Sequence, residues 1–176
     1  ITFIPSRDPD AVVVATKPLE GLLKTQLASQ GWTVNNVKIN VSTSYEAAGE
    51  ALDAGTTDLA FIPAGTYVQY EEGATAILTA LRQGKSVDSL DPITWNTNEP
   101  ITNSTDLVVG YRSLIYAGVT EKGKALAAKV NNGEALTWDD LNACSWGVAS
   151  TTSSAGYIYP SIWLNERFGK TVADLD

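Results

Sequence analysis

Short apolar segments alternate with helical segments through the first eighty residues, and this order constrains the fold more than any other feature. Four apolar runs are typical of strands, at 1–4, 32–41, 58–62 and 74–81. The segments between them have helical spacing or helix-start residues, within 11–30, 43–55 and 66–72. This order predicts an α/β fold, an open sheet whose parallel strands are joined by right-handed crossovers.

Two helix starts are marked by particular residues. Pro18 fits poorly inside a helix, so either a helix begins at about Lys17 or a shorter helix over 11–16 is kinked there. Residues 43–46, Thr-Ser-Tyr-Glu, match a capping box, which predicts that the next helix begins at this point.

Three loops fall at the carboxyl ends of the predicted strands, where open α/β sheets bind their ligands. They are Pro5–Arg7, Ser42–Tyr45 and Ala64–Tyr67. Because these loops carry hydroxyl and aromatic side chains, we expect such side chains to converge on one edge of the sheet.

The pattern after residue 82 is less regular. Residues 83–106 are polar, and we interpret them as a long surface excursion rather than an element. An apolar strand over 107–119 follows, long enough to serve as a hinge crossing. Helices at 122–130 and after Thr137, a strand at 146–149 and a helix at 156–168 come next. We expect a first lobe at 1–117 and the start of a second, incomplete lobe at 118–176.

Five consecutive hydroxyl residues, Ser150–Ser154 (the hydroxyl segment), connect the last predicted strand to the last predicted helix. A helix start offers unpaired backbone N–H groups and the positive end of the helix dipole, and hydroxyl side chains add O–H donors. Tetrahedral oxyanions fit such a cradle. Alternatively, Ser153 or Ser154 only caps the helix, although five hydroxyl residues exceed what one cap requires.

Composition argues against several functions. The formal net charge is −8 and no cluster of Lys or Arg is present, which argues against nucleic acid as a partner. The chain has no histidine and a single cysteine, Cys144, so a Cys/His nucleophile pair is excluded and zinc chemistry is disfavoured. We expect no metal and no cofactor.

Several motifs, in this order, resemble the type II periplasmic-type solute-binding proteins of phosphonate, phosphite and phosphate ABC importers. The resemblance covers nearly the whole chain. It rests on Ile4-Pro5-Ser6, Tyr45 at a helix start, Asp58-Leu59-Ala60, Gly65-Thr66-Tyr67-Val68, Tyr111-Arg112-Ser113, and Ser153-Ser154-Ala155-Gly156 followed by Pro160.

The resemblance implies two α/β lobes, joined by crossing hinge strands, that close over a ligand. It implies that a phosphorus oxyanion binds at the helix start of Ser153 and Ser154, with Tyr45 and Tyr67 contributed by the other lobe. The third motif position, usually Ser or Thr, is Ala155 here. Compared with Ser or Thr at this position, Ala155 lacks a hydroxyl donor but still offers its backbone N–H.

Thr66 and Ser6 complete the candidate ligand-binding residues. Each candidate from the first lobe also has a plainer interpretation. Thr66 could only cap its helix, Ser6 could be an ordinary loop residue, and Tyr45 and Tyr67 could be boundary aromatics with one polar end. Arg7 is a weaker candidate, because the family relies mainly on neutral donors.

The function implied by the resemblance is that of an extracytoplasmic binding protein, periplasmic or lipid-anchored, that captures a small phosphorus oxyanion and presents it to an ABC permease. We expect a monomer without enzymatic activity. One alternative is a ligand-sensing domain of the same fold in a signalling protein. Another is an enzyme with Ser153 or Ser154 as nucleophile, which the missing Gly-x-Ser-x-Gly elbow and the lack of histidine argue against.

Overall fold

The computed structural model describes residues 1–97 and 99–176 and contains two compact units. Unit 1 comprises Ile1–Thr75 and Ser150–Ser154, and unit 2 comprises Ala76–Ala149 and Ala155–Asp176. Asn98, part of the predicted excursion at 83–106, lies outside the described residues. The lobe boundary between residues 117 and 118 stays a prediction.

A three-stranded parallel sheet organises unit 1. Its strands are β1 (Thr2–Phe3), β2 (Asn40–Val41) and β3 (Ala60–Phe61), in the order β2-β1-β3. Thr2 pairs with Asn40 on one side and with Ala60 on the other. Phe3 stacks on Phe61, with ring centroids 4.6 Å apart. The predicted mixed α/β class is confirmed, and the carboxyl ends of all three strands share one edge.

Two of the predicted strands are wrong: one is much shorter than predicted, and the other is not formed. Only Asn40–Val41 of the run at 32–41 forms a strand, and the run at 74–81 has no strand residue in the structure. Trp32 and Leu78 are 67% and 86% exposed. An apolar run forms a strand only where it can pair with a neighbouring strand and pack one face against other side chains. Within the described residues, these two runs do neither at Trp32 and Leu78.

Four helices complete unit 1: α1 (Pro9–Thr16), α2 (Pro18–Ser29), α3 (Tyr45–Asp53) and α4 (Ala64–Tyr67). Asp8 caps α1, since its carboxylate accepts the Ala11 N–H at 3.0 Å. Lys17 separates α1 from α2, whose first residue, Pro18, needs no hydrogen-bond donor there. The predicted helix at 66–72 is wrong in its bounds, because α4 begins two residues earlier and ends at Tyr67.

The cap of α3 differs from the predicted capping box. Ser44, rather than Thr43, is the N-cap, and its hydroxyl accepts the Ala47 N–H at 3.0 Å. The helix therefore begins one residue later than the box requires. Glu46 then lies at the second helical position, and its side chain is available to other partners.

Unit 2 begins with an antiparallel pair, β4 (Arg82–Lys85) and β5 (Asn103–Val108), which contradicts the excursion predicted at 83–106. This ladder could not be predicted from the polar composition of the segment, because its bonds are made by the backbone and the side chains that pair across it are polar. Lys85 Nζ, for example, donates to Asn103 Oδ1 at 2.7 Å. The strand predicted at 107–119 is also wrong, since only its first two residues belong to β5.

The remaining elements of unit 2 are helical. They are a 3-10 turn (Pro92–Trp95), α5 (Glu121–Asn131), α6 (Trp138–Asn142), α7 (Tyr159–Phe168) and a final 3-10 turn (Val172–Asp174). A π-helical turn, Ser154–Ile158, leads directly into α7. Thr137 caps α6 through a complete capping box with Asp140, as predicted for this helix start.

The core of unit 2 packs around Leu141, Leu164 and Val172, which are all buried. Trp146 packs against this cluster and donates from Nε1 to the Leu141 carbonyl at 2.9 Å. The strand predicted at 146–149 is therefore wrong: Trp146 serves as a core side chain, and no strand partner for these residues lies in the described part of the chain.

Two helix glycines offer a test of the packing of unit 1. A Cβ at buried Gly49 in α3 would lie 2.2 Å from the Tyr70 ring, whereas a Cβ at Gly21 in α2 would meet nothing within 4 Å. We expect Gly49→Ala to lower the free energy of unfolding by about 1–3 kcal/mol. Gly21→Ala, the control, should raise it by up to about 1 kcal/mol. Urea unfolding measures both, and a Gly49→Ala variant as stable as the wild type would contradict this packing.

Candidate functional site

The candidate site lies in unit 1, where the hydroxyl segment meets the starts of α3 and α4. The segment belongs to unit 1, although the chain before and after it belongs to unit 2. Ser150 and Thr152 bond to Glu46 of α3, and the Ser154 hydroxyl accepts the Gly65 N–H of α4 at 3.3 Å. Of the predicted loops, Ala64–Tyr67 is therefore joined to the predicted cradle through Gly65, and Glu46, the residue after the loop Ser42–Tyr45, is joined to it as well.

Glu46 is the partner of two residues of the hydroxyl segment, Ser150 and Thr152. The Ser150 hydroxyl donates to Glu46 Oε1, and the Thr152 hydroxyl donates to the same oxygen at 2.9 Å. The two hydroxyl oxygens lie 3.0 Å apart, and Ser150 Oγ accepts the Thr152 N–H at 3.3 Å. Thr152 is 1% exposed. These bonds fix the local conformation from which Ser153 and Ser154 follow.

The pKa of Glu46 is lowered to about 2, chiefly by the hydrogen bond from Ser150 and then by its own backbone N–H. Desolvation acts in the opposite direction, and bonds from Thr152 and Ser44 lower the pKa further. The carboxylate is therefore ionised at neutral pH. Glu46 is not among the site residues predicted from the sequence, because the capping-box pattern already accounted for it.

Thr66 is the second unusual residue of the site. Its side chain is 0% exposed, and Oγ1 has no hydrogen-bond partner among the described residues. The interpretation of Thr66 as a cap is wrong, since Pro63 is the N-cap of α4 and Thr66 lies inside the helix. A buried hydroxyl without a partner costs about 1–3 kcal/mol. A ligand oxygen within reach would remove that cost.

The other candidates of unit 1 occupy the expected elements. Ser153 is 8% exposed, Tyr45 and Tyr67 are half-buried at the start of α3 and the end of α4, and Ser6 is exposed after β1. The Ser6 N–H donates to the Ile4 carbonyl at 2.8 Å, which forms a tight turn after the strand. Their contacts with a ligand stay predictions.

Ala155, the third residue of the motif, is half-buried and belongs to unit 2. Its carbonyl accepts the Ser113 hydroxyl at 2.6 Å, a contact that the sequence analysis did not identify. The neighbouring Arg112 is paired with Asp88, so its charge is not available to an anion. The predicted ligand role of Ala155 therefore depends on its backbone N–H alone.

Other kinds of site receive no support from the described residues. Nowhere in 1–97 or 99–176 do three or more His, Cys, Asp or Glu residues form a group that could hold a metal ion. A cavity of about 340 Å³ in unit 1 is lined by Asp53, Glu71 and Glu72 among others, and these carboxylates would repel an anion. No helix described in these ranges has the length and apolarity needed to cross a membrane.

The depressed pKa of Glu46 makes the stability of unit 1 pH-dependent. An ionised Glu46 stabilises the fold above its ordinary pKa of 4.5, and this contribution is lost as the pH falls towards 2. We expect Glu46→Gln to lower the free energy of unfolding by about 1 kcal/mol at neutral pH, since solvent screens a half-buried carboxylate, and by much less near pH 2. Urea unfolding at both pH values measures this.

The control for this prediction is Glu50→Gln, which removes a charge from an exposed side chain one turn further along α3. The pKa of Asp140 in unit 2 is also lowered to about 2, chiefly by its bond from Lys129. Asp140 is present in the wild type, Glu46→Gln and Glu50→Gln, so its effect on stability cancels when the three are compared. A Glu46→Gln effect of constant size at every pH would contradict the account of the carboxylate.

Comparison with known families identifies one that covers the chain. The model of the family described as ABC transporter, phosphonate, periplasmic substrate-binding protein matches residues 1–176. No curated protein and no solved structure matches the chain significantly. The family consists of non-enzymatic transport components that act outside the cytoplasm. The chain belongs to the periplasmic substrate-binding proteins of phosphonate ABC transporters.

Proposed function

We propose that this chain captures a small phosphorus oxyanion, a phosphonate, phosphite or phosphate, and presents it to the permease of an ABC importer. Membership of the family supports the solute-binding role. The buried Thr66 hydroxyl without a partner, beside the contact between Gly65 and Ser154, is the observation that carries the choice of ligand.

The proposed ligand-binding residues offer neutral donors. Hydroxyl groups of Ser153, Ser154 and Thr66 and the backbone N–H of Ala155 would bind the oxygens, with Tyr45, Tyr67 and Ser6 at the same sheet edge. Each donor left unpaired by a wrong ligand costs about 1–3 kcal/mol, which provides selectivity without a fixed positive charge. We further propose that the chain follows the two-lobe, hinged architecture of the family and acts as a monomer.

Thr66→Val separates binding from stability. The substitution keeps the shape of the side chain and removes a hydroxyl that has no partner among the described residues. We expect the melting temperature without ligand to stay the same or to rise. We expect the affinity for phosphate, phosphite or methylphosphonate, whichever binds best, to fall about tenfold to a hundredfold.

Thr2→Val is the matched control for this substitution. Thr2 is also buried in unit 1, but its hydroxyl lies 2.8 Å from that of Thr57, so its loss should lower stability and leave the affinity unchanged. Calorimetric titration and thermal melting distinguish the two variants. If Thr66→Val binds as tightly as the wild type, its hydroxyl does not contact the ligand.

The double substitution Ser153→Ala with Ser154→Ala tests the cradle itself. Removal of both hydroxyl groups should weaken oxyanion binding by a few kcal/mol, about 1–3 for each group. The substitution at Ser154 also removes the acceptor of the Gly65 N–H, so we expect the unliganded protein to stay folded and to melt at a somewhat lower temperature. The control is Ser161→Ala in α7, whose hydroxyl is buried and unpartnered in unit 2 and should not affect binding. An unchanged affinity in the double variant would make the cradle no more than a helix cap.

A further inference from the structure

Glu46 places a full negative charge beside the proposed oxyanion ligands. Its Oε1 lies 2.9 Å from the Thr152 hydroxyl, and Ser153 is the next residue. Neighbouring Cα atoms are about 3.8 Å apart, so an oxyanion on Ser153 and Ser154 would lie within about one Debye length of the carboxylate. We propose that Glu46 sets the charge selectivity of the site, so that a singly charged oxyanion binds more tightly than a doubly charged one. This inference rests on the proposed function.

The charge of Glu46 has no cationic partner in the described part of the chain. The ion pairs of residues 1–97 and 99–176 are Arg112–Asp88, Lys124–Glu121 and Lys129–Asp140, all in unit 2. Hydroxyl groups, rather than a positive side chain, satisfy Glu46. Its field therefore acts on a nearby ligand with little cancellation by a counter-charge.

The same bonds restrict what the hydroxyl segment can donate. A hydroxyl group carries one hydrogen, and those of Ser150 and Thr152 are directed at Glu46. These two groups cannot also donate to the additional charge of a dianion. The second charge of a ligand is therefore opposed by the carboxylate, and two of the five hydroxyl groups of the segment, those of Ser150 and Thr152, cannot donate to it.

The groups around Glu46 are themselves acidic or neutral. Glu50 and Asp53 follow on α3, and Tyr70 lies after α4. The pKa of Tyr70 is raised, first by burial and then by the charges of Glu50, Glu46 and Asp53. Glu46 stays ionised above pH 5, and the chain contains no histidine. Between about pH 5.5 and 8.5 inorganic phosphate passes from one negative charge to two, and comparing the variants at the same two pH values cancels the titrations that they share.

The experiment measures the dissociation constant of inorganic phosphate at about pH 5.5 and 8.5, at low ionic strength, for the wild type, Glu46→Gln and Glu50→Gln. We expect the wild type to bind the singly charged form at least about tenfold more tightly. Glu46→Gln should reduce the ratio of the dissociation constants at pH 8.5 and 5.5 about tenfold. Glu50→Gln removes the same charge from the same helix at an exposed position and should change the ratio less than about twofold.

The outcomes separate this inference from the proposed function. If the wild type binds phosphate and Glu46→Gln leaves the ratio unchanged, the inference is overturned and the proposed function stands. If the wild type binds none of phosphate, phosphite and methylphosphonate, both are overturned. Should Glu46→Gln fail to fold, added salt tests the wild type alone: screening should reduce its preference for the single charge, and a preference independent of salt would overturn the inference.

Discussion

Glu46 fastens the hydroxyl segment to unit 1 through the hydroxyl groups of Ser150 and Thr152, although the chain on both sides of the segment belongs to unit 2. The next two serines are thereby held beside the sheet edge, where Ser154 accepts the Gly65 N–H at the start of α4. Thr66 follows with a buried hydroxyl that has no partner in the described residues. The arrangement of donors around the candidate site therefore depends on one carboxylate.

The proposed ligand is an anion and the protein is acidic, so the proposed function poses an electrostatic conflict that neutral donors would resolve. The net charge is −8, and Arg112, the arginine within the family motifs, is paired with Asp88. Neutral O–H and N–H groups supply local positive potential without a fixed charge. A site of this kind discriminates by hydrogen bonding, because each buried donor that a ligand fails to satisfy weakens binding.

The sequence predicted what is local and missed what depends on distant partners. The strand–helix order of unit 1 and the hydroxyl segment could be found, since caps, prolines and helical spacing act within a few residues. The partner of Ser150 lies 104 residues away, so Glu46 could not be assigned from its own neighbourhood. Strand extent failed for the same reason: the apolar run at 107–119 forms a strand only as far as Val108, where the pairing with Arg82 ends, and Val119 is 88% exposed. The burial of Thr66 is likewise set by packing.

The most direct test is calorimetric titration of the folded, ligand-free protein with phosphate, phosphite, methylphosphonate and an aminoalkylphosphonate in a buffer poor in anions. The account predicts binding of at least one of them at micromolar or lower concentration, with a stoichiometry of about one, because the buried Thr66 hydroxyl has no partner within the part of the chain that the structure describes. No heat of binding with any of the four would contradict the assignment of a phosphorus oxyanion and direct the search to another class of solute.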